Sequence, residues 1–130
     1  MTTPKILIYE QNLFHRRLMT DLVECNDMHA VPVDGKDWID RLEKGADKAS
    51  VVVLDLDRSK KDGIDVLKRL RALPKAKRPR IVGVMNRLDP QAASGEPAFG
   101  IEEIVQAPID TGTFARAVAR QVLEARAAEG

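Results

Sequence analysis

The sequence predicts an α/β fold in which a parallel β-sheet is covered by helices on both faces. Short apolar runs without polar alternation, such as KILI (5–8) and VVVL (51–54), are typical of strands buried on both sides. Segments with the apolar spacing of amphipathic helices separate these runs. Because strands that alternate with helices form parallel sheets through right-handed crossovers, we expect a doubly wound architecture. The composition, 44% hydrophobic and 32% charged over 130 residues, fits one globular domain over residues 1–130.

Five strands are expected. The first and third are the runs 5–8 and 51–54. The second, MHAVPV (28–33), contains Pro32, which has no N–H for the hydrogen-bond ladder and therefore belongs at a sheet edge. RIVGVM (80–85) predicts the fourth strand, and IEEIVQAP (101–108) predicts a fifth with a weaker pattern.

The first helix should begin after Asn12, whose side chain can cap it. Its buried stripe is expected to contain Phe14, Leu18, Leu22 and Cys25, and its outward face His15, Arg16, Arg17 and Asp21.

Three further segments carry helical patterns. One contains Trp38 and ends near Gly45, a usual helix stop. Another runs from Ile64 to Leu73, after a turn expected at Asp62 and Gly63, and the last follows Pro108. The segment 89–100 has two prolines and two glycines, so the helix between the fourth and fifth strands should be short or irregular.

Several classes of protein are excluded by composition. The single Cys25 cannot form an internal disulfide, and we expect it to pack as a small apolar residue in a reducing compartment. No Cys and His cluster has metal-ligand spacing. The apolar run near the N-terminus is too short for a signal peptide or a membrane span, which favours a cytoplasmic protein.

Carboxylates follow the predicted first and third strands. Glu10 comes just after the first, and Asp55 and Asp57 come after the third. Ligands of doubly wound sheets bind beyond the carboxyl ends of the strands. We therefore expect these side chains to converge on a functional site at that edge.

Three segments resemble the receiver domain of two-component response regulators, in particular the stand-alone, chemotaxis-regulator type. They are KILIYEQN at the start, VVVLDLDRSKKDGIDVLKRLR in the middle and IVQAPI near the end, and the resemblance covers about residues 4–126. It implies a flavodoxin-like (βα)5 fold with strand order 2-1-3-4-5, in which the strand with Pro32 lies at an edge.

The resemblance also implies a role for each carboxylate. Asp55 falls on the phosphoacceptor, a nucleophile that takes a phosphoryl group from a partner kinase. Glu10 and Gln11 fall on the acidic pair that holds Mg²⁺ together with Asp55 and the backbone carbonyl of Asp57. Gln11 offers a neutral oxygen where a carboxylate would add charge, so Mg²⁺ binding should be weak.

Two further positions depart from the family pattern. Met85 falls where the family has a switch Thr or Ser, and Ala107 falls where it has a Lys that pairs with the phosphoryl oxygens. Phosphoryl transfer is accelerated by positioning and charge neutralisation, to which Ala107 cannot contribute. Met85 cannot follow a phosphoryl group as a hydroxyl does. The sequence therefore indicates a degenerate pseudo-receiver, in which phosphorylation at Asp55 is weak, absent or uncoupled from a change of shape.

We expect no output domain to follow such a domain, so it should signal by binding a protein partner and should have no catalytic residues or enzymatic activity. The resemblance suggests a histidine kinase, a phosphotransferase or another signalling protein as the partner. Candidate partner-binding residues lie on the first helix and around the fifth strand: His15, Arg16, Arg17, Glu96, Phe99, Glu102 and Glu103.

Two alternatives stay open. One is a functional phosphoreceiver with an atypical switch. The other is a receiver-like effector that binds cyclic di-GMP, since the basic stretch 58–80 contains ten Lys or Arg residues, although the net charge of the chain is only +1. Nucleic-acid binding is disfavoured because this stretch has no interleaved aromatic residues to stack on bases.

Overall fold

The structure is a computed structural model that describes residues 3–56, 61–86 and 100–129. Its strands are β1 (Lys5–Tyr9), β2 (His29–Pro32), β3 (Val51–Asp55), β4 (Arg80–Asn86) and β5 (Glu103–Ala107). Its α-helices are α1 (Leu13–Glu24), α2 (Asp37–Glu43), α3 (Lys61–Arg71) and α4 (Thr111–Glu129), and a 3-10 turn covers Lys75–Lys77. The helix expected within 89–100 falls almost entirely outside the described residues.

All five strands are parallel and lie in the order β2-β1-β3-β4-β5. The predicted doubly wound, flavodoxin-like sheet is therefore confirmed, with Pro32 on the edge strand. Tyr9 pairs with Leu54, and Asp55 pairs with Val84. This register brings the carboxyl ends of β1, β3 and β4 to the same edge of the sheet, next to the end of β5.

Helices cover both faces of the sheet and form two apolar layers. One layer joins α2 and α3 to side chains such as Leu54 and Ile81, and it contains Trp38, whose indole N–H donates to the Gly35 carbonyl at 2.9 Å. The other layer joins α1 and α4 to side chains such as Val53 and contains the fully buried Phe114. Burial on both faces explains why the strands read as continuous apolar runs.

Helix α1 is capped as predicted, but the face that it buries differs from the predicted one. The Asn12 side chain accepts from the His15 backbone N–H at 3.0 Å. The buried residues are Met19 and Val23, whereas Phe14 is 75% exposed and Cys25 is also exposed. Leu18 and Leu22 of the predicted stripe are half-buried, so the prediction holds for the middle of the helix and fails at its two ends.

Helix α3 begins closer to β3 than the sequence indicated. Asp62 and Gly63, expected to form a turn, lie in its first turn. A Cβ atom on Gly63 would lie 2.1 Å from the backbone oxygen of Asp55. Only glycine allows this approach, so α3 packs directly on the backbone of β3 at Asp55.

An ion pair lies at the amino ends of β1 and β3, at the edge of the sheet opposite their carboxyl ends. The Lys5 ammonium lies 2.6 Å from the Asp47 carboxylate, whose side chain is 17% exposed, and this hydrogen bond holds the pKa of Asp47 below its ordinary 3.8. A carboxyl group with a lowered pKa in the folded state adds stability above its unfolded pKa and loses it as the pH falls through the folded pKa.

We expect Asp47→Asn to lower the free energy of unfolding near neutral pH by about 1 kcal/mol. The difference from the parent should shrink as the pH falls below 3.8, because the parent then loses the same interaction. Urea unfolding at several pH values measures it. Asp40→Asn, which breaks the more exposed pair with Arg69, is the control and should cost less. A difference that persists unchanged in acid would contradict this account.

Candidate functional site

The carboxyl ends of the strands form the rim of a pocket of about 420 Å³. The β1–α1 loop and the start of α1 form one side, and the ends of β3 and β4 and the segment after β5 form the rest. Its described lining consists of Glu10, Asn12, Phe14, His15, Leu18, Met19, Asp55, Val84, Met85, Ala107, Pro108 and Ile109. The structure thus brings together four residues singled out from the sequence by their likeness to receiver domains: Glu10, Asp55, Met85 and Ala107.

Two carboxylates lie on the polar side of this pocket. Glu10 is buried directly after β1, with 4% of its surface exposed, and Asp55 is half-buried as the last residue of β3. Glu10 Oε1 accepts from the Asn12 backbone N–H at 3.3 Å and lies 3.7 Å from Nδ1 of His15. The cap of α1 therefore also holds the first carboxylate in place.

The opposite wall is apolar. Met85 is buried near the end of β4, within the layer that contains α2 and α3. Ala107 ends β5 and is half-buried, next to Pro108, with which it forms a cis peptide bond. Among the lining residues in the described part of the chain, none is Lys or Arg. An anion bound at Asp55 would meet a methionine and an alanine on this wall.

Gln11 lies beside the pocket, where its amide group contacts an acidic neighbour. Its Nε2 donates to the Tyr9 hydroxyl and to the Asp62 carboxylate, at 3.3 Å each. Burial raises the pKa of the Tyr9 hydroxyl, and the Asp62 carboxylate raises it further. Asp34 and Asp55 add to this shift, so several carboxylates surround the end of β1.

Sequence reasoning missed Asp62 as a member of this site. Asp62 adjoins Gly63, but the close packing of this glycine on Asp55 is seen only in the folded structure. Its proximity to Gln11 follows from the position of α3, which the pattern of apolar residues does not define.

The described residues supply two carboxylates that could hold a metal ion, Glu10 and Asp55. Within 3–56, 61–86 and 100–129, no three His, Cys, Asp or Glu side chains are arranged to hold a metal ion. The amide nitrogen of Gln11 faces Tyr9 and Asp62, so this residue acts here as a hydrogen-bond donor. Asp57, whose carbonyl was expected to complete the site, lies outside the described residues. Mg²⁺ in proteins is usually held by one or two carboxylates and several waters, so Glu10 and Asp55 are the described residues that could hold it.

The candidate partner-binding residues of α1 are engaged to different degrees. Arg16 lies 3.4 Å from Asp34, and Arg17 pairs with Asp21 one helical turn away at 3.2 Å. The His15 side chain is about half exposed at the mouth of the pocket. Leu13 and Phe14, which were not among the predicted partner-binding residues, expose 68% and 75% of their surface.

Around β5, Glu102 and Glu103 bond within the domain. A Glu102 carboxylate oxygen accepts from the Ile81 backbone N–H at 2.6 Å. Burial alone would raise the pKa of Glu103, but hydrogen bonds from Arg120 and the buried Gln121 hold it below its ordinary value. Both glutamates thus tie β5 to its neighbours, and Glu96 and Phe99 lie outside the described residues.

Several cations of the basic stretch 58–80 are also engaged internally. Arg69 pairs with Asp40 at 2.6 Å, Lys77 donates to the Glu43 carbonyl at 2.5 Å, and Arg78 donates to the Leu73 carbonyl at 3.0 Å. Guanidinium groups that bind backbone carbonyls are less available to phosphates. Within residues 62–80, the part of this stretch whose side chains the structure describes, the geometry gives no support to a cyclic dinucleotide site.

Solved structures of receiver domains have a fold similar to that of this chain. The signal receiver domain of a Vibrio parahaemolyticus protein is 19% identical with a TM-score of 0.79, covering 98% of this chain and 96% of that one. A response regulator receiver protein from Burkholderia phymatum is 18% identical with a TM-score of 0.76, covering 92% and 95%. The receiver domain of the Francisella response regulator 1452 is 17% identical with a TM-score of 0.76, covering 94% and 98%.

This chain therefore has the fold of response-regulator receiver domains over nearly its whole length. No profile of a known protein family matches the sequence. No curated protein sequence matches it either. Among the described helices, none is long and apolar enough to cross a membrane.

Proposed function

We propose that this chain is a pseudo-receiver: a signalling module of the two-component type that acts by binding a protein partner, with no catalytic activity of its own. In this proposal phosphorylation of Asp55 is weak or absent and does not change the shape of the domain. The observation that carries it is the wall of the pocket next to Asp55. Met85 and Ala107 present apolar surface where a phosphoryl group needs a hydroxyl and a cation.

The surroundings of Gln11 support a weak response to Mg²⁺. Its amide is bonded to Tyr9 and Asp62, so the described residues offer Glu10 and Asp55 as the only carboxylates that line the pocket. When bound, Mg²⁺ would be held by Glu10 and Asp55 and would neutralise charge on a phosphoryl group. We expect an isothermal titration to show weaker Mg²⁺ binding to this chain than to its Gln11→Asp variant, which restores the second carboxylate of the acidic pair.

The exposed first turn of α1 supports binding of a protein partner. Leu13 and Phe14 leave most of their apolar surface in contact with water. Exposed apolar surface that adjoins a pocket and is bordered by charged residues marks interaction sites. We assign partner contacts to this turn together with His15, Arg16 and Arg17, and to the surface around Glu102 and Glu103.

The proposal predicts little response to phosphorylation mimics. With Mg²⁺ and acetyl phosphate or beryllofluoride, we expect an adduct on a minor fraction of the protein, with NMR shifts limited to residues next to Asp55. Mass spectrometry measures the adduct, and Asp55→Asn, which lacks the carboxylate nucleophile, is the control. A stoichiometric adduct with shifts through residues 85–107 would instead establish a working phosphoreceiver.

A further inference from the structure

We infer that the surface formed by α1 and α4 binds a second copy of this chain, whose own α1 lies antiparallel to the first. This inference rests on the proposed function, because it identifies the protein partner that covers α1 as another molecule of the same chain. The surface around Glu102 and Glu103 stays open to other proteins. The inference follows from the exposed apolar side chains, the apolar stripe of α1 and the order of charges along that helix.

The large apolar side chains that the described residues expose all lie on α1 and α4. They are Leu13, Phe14 and Leu123, which expose 68%, 75% and 64% of their surface. These two helices cover the same side of the sheet and contact each other, so the three side chains belong to one side of the domain. Exposed apolar surface that is gathered on one side of a domain marks a site of protein interaction.

An apolar stripe runs along α1 from Phe14. Leu18 and Leu22 follow at intervals of four residues and are half-buried, so these three side chains lie on one face of the helix. Two such stripes can pack against each other as helices do at apolar contacts. In an antiparallel pair, Phe14 of each copy meets Leu22 of the other, and the two Leu18 side chains meet near the two-fold axis.

The charges of α1 fit the same antiparallel arrangement. Arg17 and Asp21 pair within one helix at 3.2 Å, and their side chains are 80% and 58% exposed. An antiparallel second copy places its Asp21 beside Arg17 and its Arg17 beside Asp21, which extends the pair into a cluster of four alternating charges. A parallel copy would instead place like charges side by side. The surface is therefore complementary to itself, as a two-fold interface requires.

The size of this surface limits the strength of the dimer. Helix α1 has 12 residues and α4 has 19, which gives lengths of about 18 and 28 Å. Two helices side by side are roughly 20 Å wide, so their overlap covers on the order of 400 Å² in projection. Stable complexes usually bury roughly 800 Å² per partner. We therefore expect a weak dimer whose population depends on the protein concentration.

Sedimentation equilibrium of the chain tests this inference. We expect the measured mass to rise from one chain towards two as the concentration increases from about 10 μM to about 1 mM. Arg17→Asp brings four carboxylates together in the interface and should raise the Kd about tenfold or more. Exchanging the charges, with Arg17→Asp and Asp21→Arg in one chain, restores the alternation and should return the Kd to within about threefold of the parent value.

Two further variants define the surface. Phe14→Ser changes a side chain that is already exposed in the single chain, so it should abolish the dimer without altering the circular dichroism spectrum. Lys68→Asp makes the same reversal of charge as Arg17→Asp on the exposed surface of α3, which covers the other side of the sheet, and should leave the Kd unchanged.

Three results would overturn the inference. They are a parent chain that stays monomeric at about 1 mM, equal effects of Arg17→Asp and Lys68→Asp, and an exchanged variant that dimerises no better than Arg17→Asp. None of them bears on the response of Asp55 to acetyl phosphate, so failure of the dimer and failure of the proposed function are separate outcomes.

Discussion

Replacing Gly63 with alanine will destabilise the domain by about 3 kcal/mol, at the upper end of the cost of overpacking. The added Cβ would lie 2.1 Å from the backbone oxygen and 3.3 Å from the carbonyl carbon of Asp55. These are atoms of the central strand β3, which cannot rotate away as a side chain can. Either α3 or the end of β3 must shift, and both contribute side chains to the apolar layer between the sheet and helices α2 and α3.

The matched control is Gly112→Ala, which also adds a methyl group in the first turn of a helix. Its Cβ would contact the end of the flexible Arg116 side chain, at 3.0 Å. Alanine is the better helix former, so this variant should be neutral or slightly more stable. Chemical unfolding monitored by circular dichroism compares the two. If both variants unfold at the parent's denaturant concentration, α3 does not pack on β3 as described.

Ala107→Lys will increase the rate at which acetyl phosphate modifies Asp55 by about a hundredfold, the usual effect of one well-placed electrostatic group. Position 107 ends β5 and lines the same pocket as Asp55. A lysine there can therefore direct its ammonium towards the phosphoryl oxygens and supply a charge that the described lining residues do not carry. Time-resolved mass spectrometry in the presence of Mg²⁺ measures the rate.

Ala107→Met, which has a long but uncharged side chain, separates charge from bulk and should give no gain. Adding Met85→Thr to Ala107→Lys should extend the NMR shifts beyond the pocket, because a hydroxyl then lies on the β4 side. Met85 is 5% exposed, so that change also removes a buried side chain and costs about 2 kcal/mol. If Ala107→Lys modifies Asp55 no faster than Ala107→Met, the missing cation is not what limits this domain.

The sheet could be predicted from the sequence because its strands carry their own signal. The apolar runs of β1 and β3 lack polar alternation, and Pro32 identifies an edge. The face that α1 buries could not be predicted in the same way. Phe14 and Met19 both belong to plausible apolar stripes, and the choice depends on contacts with β1 and α4 that no local pattern encodes.

The site was predictable to a similar extent. Glu10 and Asp55 follow buried parallel strands, so topology alone brings them together. The hydrogen bond between Gln11 and Asp62 was not predictable, because it depends on how closely α3 approaches β3. Asp57, Glu96 and Phe99 lie outside the described residues, and their expected roles stay predictions.

The packing of the only tryptophan gives the domain an intrinsic fluorescent reporter. Trp38 is buried with its ring centroid 6.2 Å from that of Tyr9. The Tyr9 hydroxyl accepts a hydrogen bond from Gln11 beside the pocket. A movement of Gln11 can therefore reach the indole through the Tyr9 ring. Emission intensity can therefore follow occupancy of the pocket in unlabelled protein, and Tyr9→Phe, which keeps the ring but removes the hydroxyl, should reduce that optical signal.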